Sequence, residues 1–275
     1  MTTHPSKSIR VALCVFITSA LLLNHLIAWM AGAVWTNAPG VDVLKKGGTT
    51  IDISNTQDGY IMLKHKEAKK RLKVSIAEGK ETFTYDLNGD GEYEVFPLQP
   101  GTGKYKVSVF KQAKGTKYSQ ESQQSFSVDR MNDNAPFLCA NQYVWYTEKN
   151  NVVAVSEEIC AGLSTDEEKF NAVVEHLKST MQYHFERAAT VEVGYLPNID
   201  DAYADGKGIC FDLSAIMACM LRVQGIPTKL VIGYAGKYYH AWTQVLIDGE
   251  YRLCDITADV MGTPYVSKYT TERVY

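Results

Sequence analysis

Cys210, His240 and Asp255 have the side-chain types, and the order along the chain, that nucleophilic acyl chemistry needs. A thiol becomes a good nucleophile when a base takes its proton, and an imidazole base works best when a carboxylate orients it. The thiol sits in GKGICFDLSAIMACMLRVQGIP (206–227), the other two groups in YYHAWTQVLIDGEYRLCDIT (238–257). The second stretch reads as a hairpin. Asp248-Gly249 is a favoured two-residue turn, because φ > 0 costs little at Gly and is tolerable at Asp. With that turn at the tip, Trp242 faces Asp255 across the ladder. Side chains alternate along a strand, so His240 shares a face with Trp242 and Asp255. His240 and Asp255 are then diagonal neighbours, roughly 7–8 Å apart at the backbone and within side-chain reach. A one-residue slip would send the carboxylate to the other face, and the turn chemistry opposes it.

The element carrying the thiol reads as a helix that begins near Cys210. Gly206 and Gly208 allow a tight turn before it. Phe211, Leu213, Ile216, Met217, Met220 and Leu221 form one broad apolar face, and Gly225-Ile226-Pro227 ends the run. A cysteine in a first helical turn meets unsatisfied N–H groups and the positive end of the helix dipole, which favour the thiolate. The same N–H groups suit part of an oxyanion hole. Cys219, deeper in that helix, reads as a small core residue. Tyr239 and Trp242 flank His240 as candidate walls of a substrate groove, with core packing a competing role for Trp242. Tyr195, Tyr203 and Asp205 lie upstream of the thiol as candidate cleft residues. Of these, Tyr203 is assigned to substrate binding, and spacing selects no oxyanion donor. Zinc at Cys210, Cys219, His240 and Cys254 is disfavoured, because the short Cys-x2–4-Cys knuckles of structural zinc sites are missing.

A Gly-rich turn, Cys at a helix start, LRVQGIPTKLVIGY, then HAW and a later DIT together resemble the transglutaminase-like (papain-like) cysteine superfamily, in its bacterial extracytoplasmic form. The resemblance runs from near Asn141 to near Thr257. It implies that Cys210 is the acyl-accepting nucleophile, His240 its base and Asp255 the orienting carboxylate. The chain departs from the family at two places. Tyr251 stands where a Trp is common, and Leu213-Ser214 where an aromatic-Ala or His-Ala pair is common.

The N-terminus carries a different message. Lys7 and Arg10 precede VALCVFITSALLLNHLIAWMAGAVW, and no charged residue occurs from Val11 to Val41. That apolar length suffices for a bilayer, which takes about 20 residues, although Asn24 and His25 interrupt it. Ala31-Gly32-Ala33 has the small-x-small form of a signal-peptidase site. The expectation is a signal peptide or membrane anchor over 1–33, and a protein secreted or held at the membrane outside the cytoplasm. Cys14 lies too early, and lacks the small neighbour, for a lipoprotein site. The net charge of −3 and the lack of a basic stripe argue against nucleic acid as a partner. Five of the six cysteines lie beyond the leader at irregular spacing, which leaves two bridges, one or none open.

Between residues 45 and 130 the apolar period changes to two. Leu72, Val74 and Ile76 alternate with polar residues, as do Tyr105, Val107 and Val109; Thr82–Leu87, Tyr93–Leu98 and Ser122–Val128 are further strand candidates. Turn-forming clusters separate them, so the segment reads as a β-sandwich of immunoglobulin-like size. Asp86, Asn88, Asp90 and Gly91 match the opening of an EF-hand loop. Pro97 stands where the bidentate Glu belongs, so a hairpin turn is preferred to calcium. An extended join over Met131–Asn141 leads to a second domain (141–275). There Thr165-Asp166-Glu167-Glu168 reads as a capping box, and Phe170, Val173, Val174, Leu177 and Met181 follow at helical spacing. Three strands, Thr228–Tyr234, Tyr238–Ile247 and Glu250–Ile256, should form an antiparallel sheet behind the Cys210 helix.

The fold class is therefore α+β: an N-terminal β-sandwich followed by a transglutaminase-like/papain-like domain. The expected function is thiol-dependent cleavage or transfer of acyl groups at peptide or amide bonds, with hydrolysis favoured and no cofactor or metal. The partner is a peptide or protein substrate, and the sandwich is a candidate contact to a cell wall or surface protein. A non-catalytic exported binding protein is the alternative.

Overall fold

The computed structural model describes residues 32–66, 68–130 and 132–275. The apolar N-terminal segment assigned above to a signal peptide or anchor lies almost wholly outside the described residues. Among the described residues no helix is long and apolar enough to cross a membrane.

The first half holds two four-stranded antiparallel sheets. One is ordered β1-β2-β3-β6, from β1 (Val43–Lys46), β2 (Thr49–Asp52), β3 (Tyr60–His65) and β6 (Glu94–Pro97). The other is ordered β5-β4-β7-β8, from β4 (Leu72–Glu78), β5 (Glu81–Leu87), β7 (Gly103–Lys114) and β8 (Lys117–Val128). The period-two residues do what their spacing implies. Val74 faces Val109 and Ile76 faces Val107 across the β4–β7 ladder, all four buried in a core shared with Ile61, Leu63 and Phe96 of the first sheet. The EF-like stretch is a correction. β5 and β6 belong to different sheets, so residues 88–93 cross between sheets and do not close a hairpin. Glu94 holds that crossing, accepting from the backbone N–H and side-chain amide of Asn88 at 2.8 and 3.1 Å.

The join is also tighter than an extended segment. Pro136 opens a 3-10 turn, Ala135–Phe137, suited to its fixed φ, and Phe137 to Asn141 are buried. The second half then supplies six helices: α1 (Asn151–Ile159), α2 (Asp166–Thr180), α3 (Phe185–Thr190), α4 (Ile199–Ala204), α5 (Cys210–Val223) and α6 (Ile256–Met261). Thr165 and Glu168 make the reciprocal capping box at the start of α2. Helix α5 is the central one, buried from Asp212 to Val223, with α1, α2 and α4 around it. It packs on an antiparallel sheet ordered β13-β12-β11-β14, from β11 (Thr228–Ala235), β12 (Tyr238–Ile247), β13 (Glu250–Cys254) and β14 (Tyr269–Val274). A short parallel pair, β9 (Gln182–Tyr183) and β10 (Lys207–Gly208), leads into α5. All five described cysteines are free thiols.

The two halves share one apolar core. Tyr85 of β5 packs edge-on against Tyr275 at 6.2 Å and meets Tyr143, just past the join, at 6.1 Å. Arg222, near the end of α5 and fully buried, ties the parts together through backbone carbonyls. Its Nε and Nη2 donate to Thr228 O at 2.9 and 2.8 Å, Nη1 to Cys139 O at 2.7 Å, and Nη2 also to Tyr275 O at 3.0 Å. A buried carbonyl without a donor costs about 1–3 kcal/mol. Arg222→Met keeps much of the volume and none of the donors, so it should destabilise the protein by about 3 kcal/mol or more, read as a lower urea midpoint at unchanged slope.

Candidate functional site

Helix α5 begins at Cys210, so the thiol stands in the first turn. Two glycines shape the approach. Gly206 has φ of 63°, in the left-handed region, and a Cβ on Gly208 would sit 2.8 Å from the Cβ of Asp212. Asp212 is fully buried and holds the turn together. It accepts from the Ile209 N–H at 2.9 Å and from the Tyr195 hydroxyl at 2.6 Å, with Arg187 Nη1 3.5 Å away.

The hairpin has the register its turn demands. Thr243 faces Cys254 and Ile247 faces Glu250, while Asp248 and Gly249 take φ of 53° and 83° at the tip. Asp255 follows directly as the N-cap of α6, its Oδ1 accepting from the Ala258 N–H at 3.2 Å. From there both carboxylate oxygens meet His240 Nε2, at 3.0 and 2.9 Å. Cys210 lines the same cleft as His240. Asp255 holds Nε2, which leaves Nδ1 for the thiol. Of the three side chains proposed from sequence, His240 and Asp255 are hydrogen-bonded, and Cys210 and His240 line one cleft.

The electrostatics follow from burial and pairing. Burial alone would push His240 down, but its bonds to Asp255 and Cys210 outweigh that and hold it up at about 9. Burial likewise opposes the Asp255 charge, yet His240, Tyr269 and the Ala258 N–H together hold its carboxyl below the usual range. Trp242 is buried behind the pair, its ring 6.4 Å from that of His240 at 22°. It supports the imidazole from the core and does not line a groove.

An open cleft of about 1460 Å³ lies in front of these groups. Cys210, His240, Tyr239 and Tyr195 line it, and β4 and β5 of the sandwich form its opposite wall through residues such as Lys73, Phe83 and Thr84. Tyr239 is more than half exposed at its edge. Tyr203 is elsewhere: its hydroxyl pairs with His176 Nε2 at 2.7 Å, between α4 and α2, and it takes no part in the cleft. Asp205 pairs with Arg187 at 3.7 Å. The Tyr195 proton is committed to Asp212, and the first-turn N–H groups of α5 are free to donate at the thiol's end of the helix. Tyr251 also turns away, donating to Asn134 at 2.9 Å beneath the Lys229 ammonium.

One contributor escapes the sequence reading. Tyr269 of β14 donates to Asp255 Oδ2 at 2.8 Å and packs edge-on against Trp242 at 5.1 Å. It comes from a strand without clear alternation, and no motif marks it.

Residues 153–256 match the family model of the transglutaminase-like superfamily. No curated protein matches the chain. Among solved structures, a candidate cysteine protease from Cytophaga hutchinsonii is 16% identical over 72% of this chain and 74% of its own, with a TM-score of 0.40. A structure named as a TGase is 22% identical over 43% of this chain and 33% of its own, with a TM-score of 0.34. Red sea bream transglutaminase is 12% identical over 72% of this chain and 48% of its own, with a TM-score of 0.29.

The raised His240 value gives a signed expectation. Such a group adds stability that is complete below its ordinary pKa and lost as pH rises through the folded value, here about 9. NMR titration of the His240 ring should show a midpoint near 9, and a lower one in Asp255→Asn, which removes the carboxylate.

Proposed function

From a chain that carries a transglutaminase-like domain, we propose a thiol acyl-transfer enzyme in which Cys210 is the nucleophile, His240 its acid and base, and Asp255 the orienting group. The observation that supports this reading is His240, hydrogen-bonded to the buried Asp255 carboxylate and lining the same open cleft as the first-turn thiol of α5. The Cys210 sulfur attacks the carbonyl carbon of a peptide or carboxamide, and first-turn N–H groups receive the oxyanion. As the C–N bond breaks, the leaving amine takes a proton from His240 and a thioester remains on Cys210. Water then attacks the thioester and gives a proton to His240, and the C–S bond breaks to release the acid and restore the thiolate. A lysine amine in place of water would cross-link. Hydrolysis is the favoured outcome, since the open cleft admits water and the triad serves it without a second specific site.

Two measurements test the reading. Iodoacetamide should label Cys210 fast near pH 6, and distinctly more slowly in His240→Ala. Cys219, fully buried with its thiol pushed up by burial, should stay inert in both. Turnover of a mixed peptide library should vanish in Cys210→Ala and fall roughly 10²–10⁴-fold in Asp255→Asn. It should persist in Asp259→Asn, whose carboxylate pairs instead with the Tyr265 hydroxyl at 2.7 Å. Labelling of Cys210 no faster than that of Cys219 would replace the enzyme with a binding protein.

The apolar leader supports a second part of the proposal, that the enzyme works outside the cytoplasm. Protein from its native host should begin near Val34, or fractionate with membranes at full length; soluble full-length protein in the cytoplasm would refute export.

A further inference from the structure

Strand β5 is the free edge of its sheet, and it is also a wall of the cleft that holds Cys210, through Thr82, Phe83, Thr84 and Asp86. An edge strand presents a row of main-chain N–H and C=O groups with which another strand can pair. One position on this edge is already paired in that manner. The side-chain amide of Gln142 accepts at Oε1 from the Asp86 N–H at 3.2 Å and donates from Nε2 to Asp86 O at 3.1 Å. Those are the two bonds an opposing peptide would exchange with Asp86.

The direction of the remaining edge groups follows from the ladder. Asp86 stands opposite Lys73 in β4 yet turns its N–H and C=O away from it, so this is a non-hydrogen-bonded pair. With a period of two, Thr84 and Thr82 turn their N–H and C=O groups to the same open side. The charges on this wall balance, Arg71 and Lys73 against Asp86 and Glu81. Lys73 lies 3.1 Å and Arg71 3.8 Å from the Asp86 carboxylate, so this wall offers main-chain groups more than unpaired charge.

We propose that the substrate is an extended polypeptide held by strand addition to β5, with Thr84 and Thr82 as its main-chain partners. Gln142 closes the Asp86 end of the edge and so marks where the added strand stops. The proposal rests on Cys210 being the nucleophile of the same cleft, and it names the substrate class: unfolded or strand-forming polypeptide, recognised by backbone more than by side-chain sequence.

Proline at Thr84 or Thr82 deletes one outward donor while leaving the bonds toward β4 in place, a position where edge strands accept proline. The probe is a mixed decapeptide library passed over immobilised Cys210→Ala protein, with retained peptides counted by mass spectrometry. Retention should fall about tenfold when Thr84→Pro or Thr82→Pro is added, and stay unchanged with Thr84→Ala. A library N-methylated at every amide should not be retained, a comparison that needs no variant to fold. Iodoacetamide labelling of Cys210 in Thr84→Pro, at the parental rate, shows the cleft intact. Equal retention by Thr84→Pro and Thr84→Ala, retention of the N-methylated library, or no retention at all overturns strand addition. Slow labelling of Cys210 in the parent protein is a separate result, which strikes the proposed function itself.

Discussion

Helix α5 is pinned at both ends, and the rest of the molecule takes its positions from that. At its far end the Arg222 guanidinium satisfies carbonyls from the join, from β11 and from the last residue after β14. At its near end Asp212 fixes Ile209 and Tyr195, and Gly208 lets the chain pass close against it. A guanidinium has rigid, forked donors, so three carbonyls bound to it cannot drift independently. The thiol at the start of the helix and the histidine on β12 therefore belong to one rigid frame.

That frame includes the sandwich. Tyr85, Tyr143 and Tyr275 pack across the boundary, and a continuous core runs beneath them. The cleft is thus walled on one side by an antiparallel sheet edge and on the other by the thiol helix and its partner strand. The balance at His240 depends on the same packing. Burial opposes the positive ring, and the bonded Asp255 carboxylate, with the Cys210 thiol, overcomes that opposition.

What is legible in the sequence is what local chemistry determines. The Asp248-Gly249 turn fixes the register that joins His240 to Asp255, and the glycines around 206–208 mark the start of α5. The alternation in β4 and β7 announces the sandwich. Other features depend on contacts that no local pattern carries. Tyr60–His65 is buried on both faces and so lacks alternation, which hides β3 and its neighbours. Tyr203 lies near Cys210 in sequence, yet helix α4 turns it toward His176. Tyr269 reaches Asp255 only because β14 returns to pair with β11, where Gly233 lets the Thr270 carbonyl come close.

Asp255 has two attachments, since one carboxylate both caps α6 and holds the His240 ring. Helix α6 spans only Ile256–Met261, and so short a helix draws a large share of its stability from its cap. Fraying there frees the same oxygen that orients the imidazole. Short end segments open at free energies well below that of global unfolding. Heat should therefore silence the site while the two sheets of the sandwich and the buried length of α5 are still intact, and cooling should restore it without any refolding of the core.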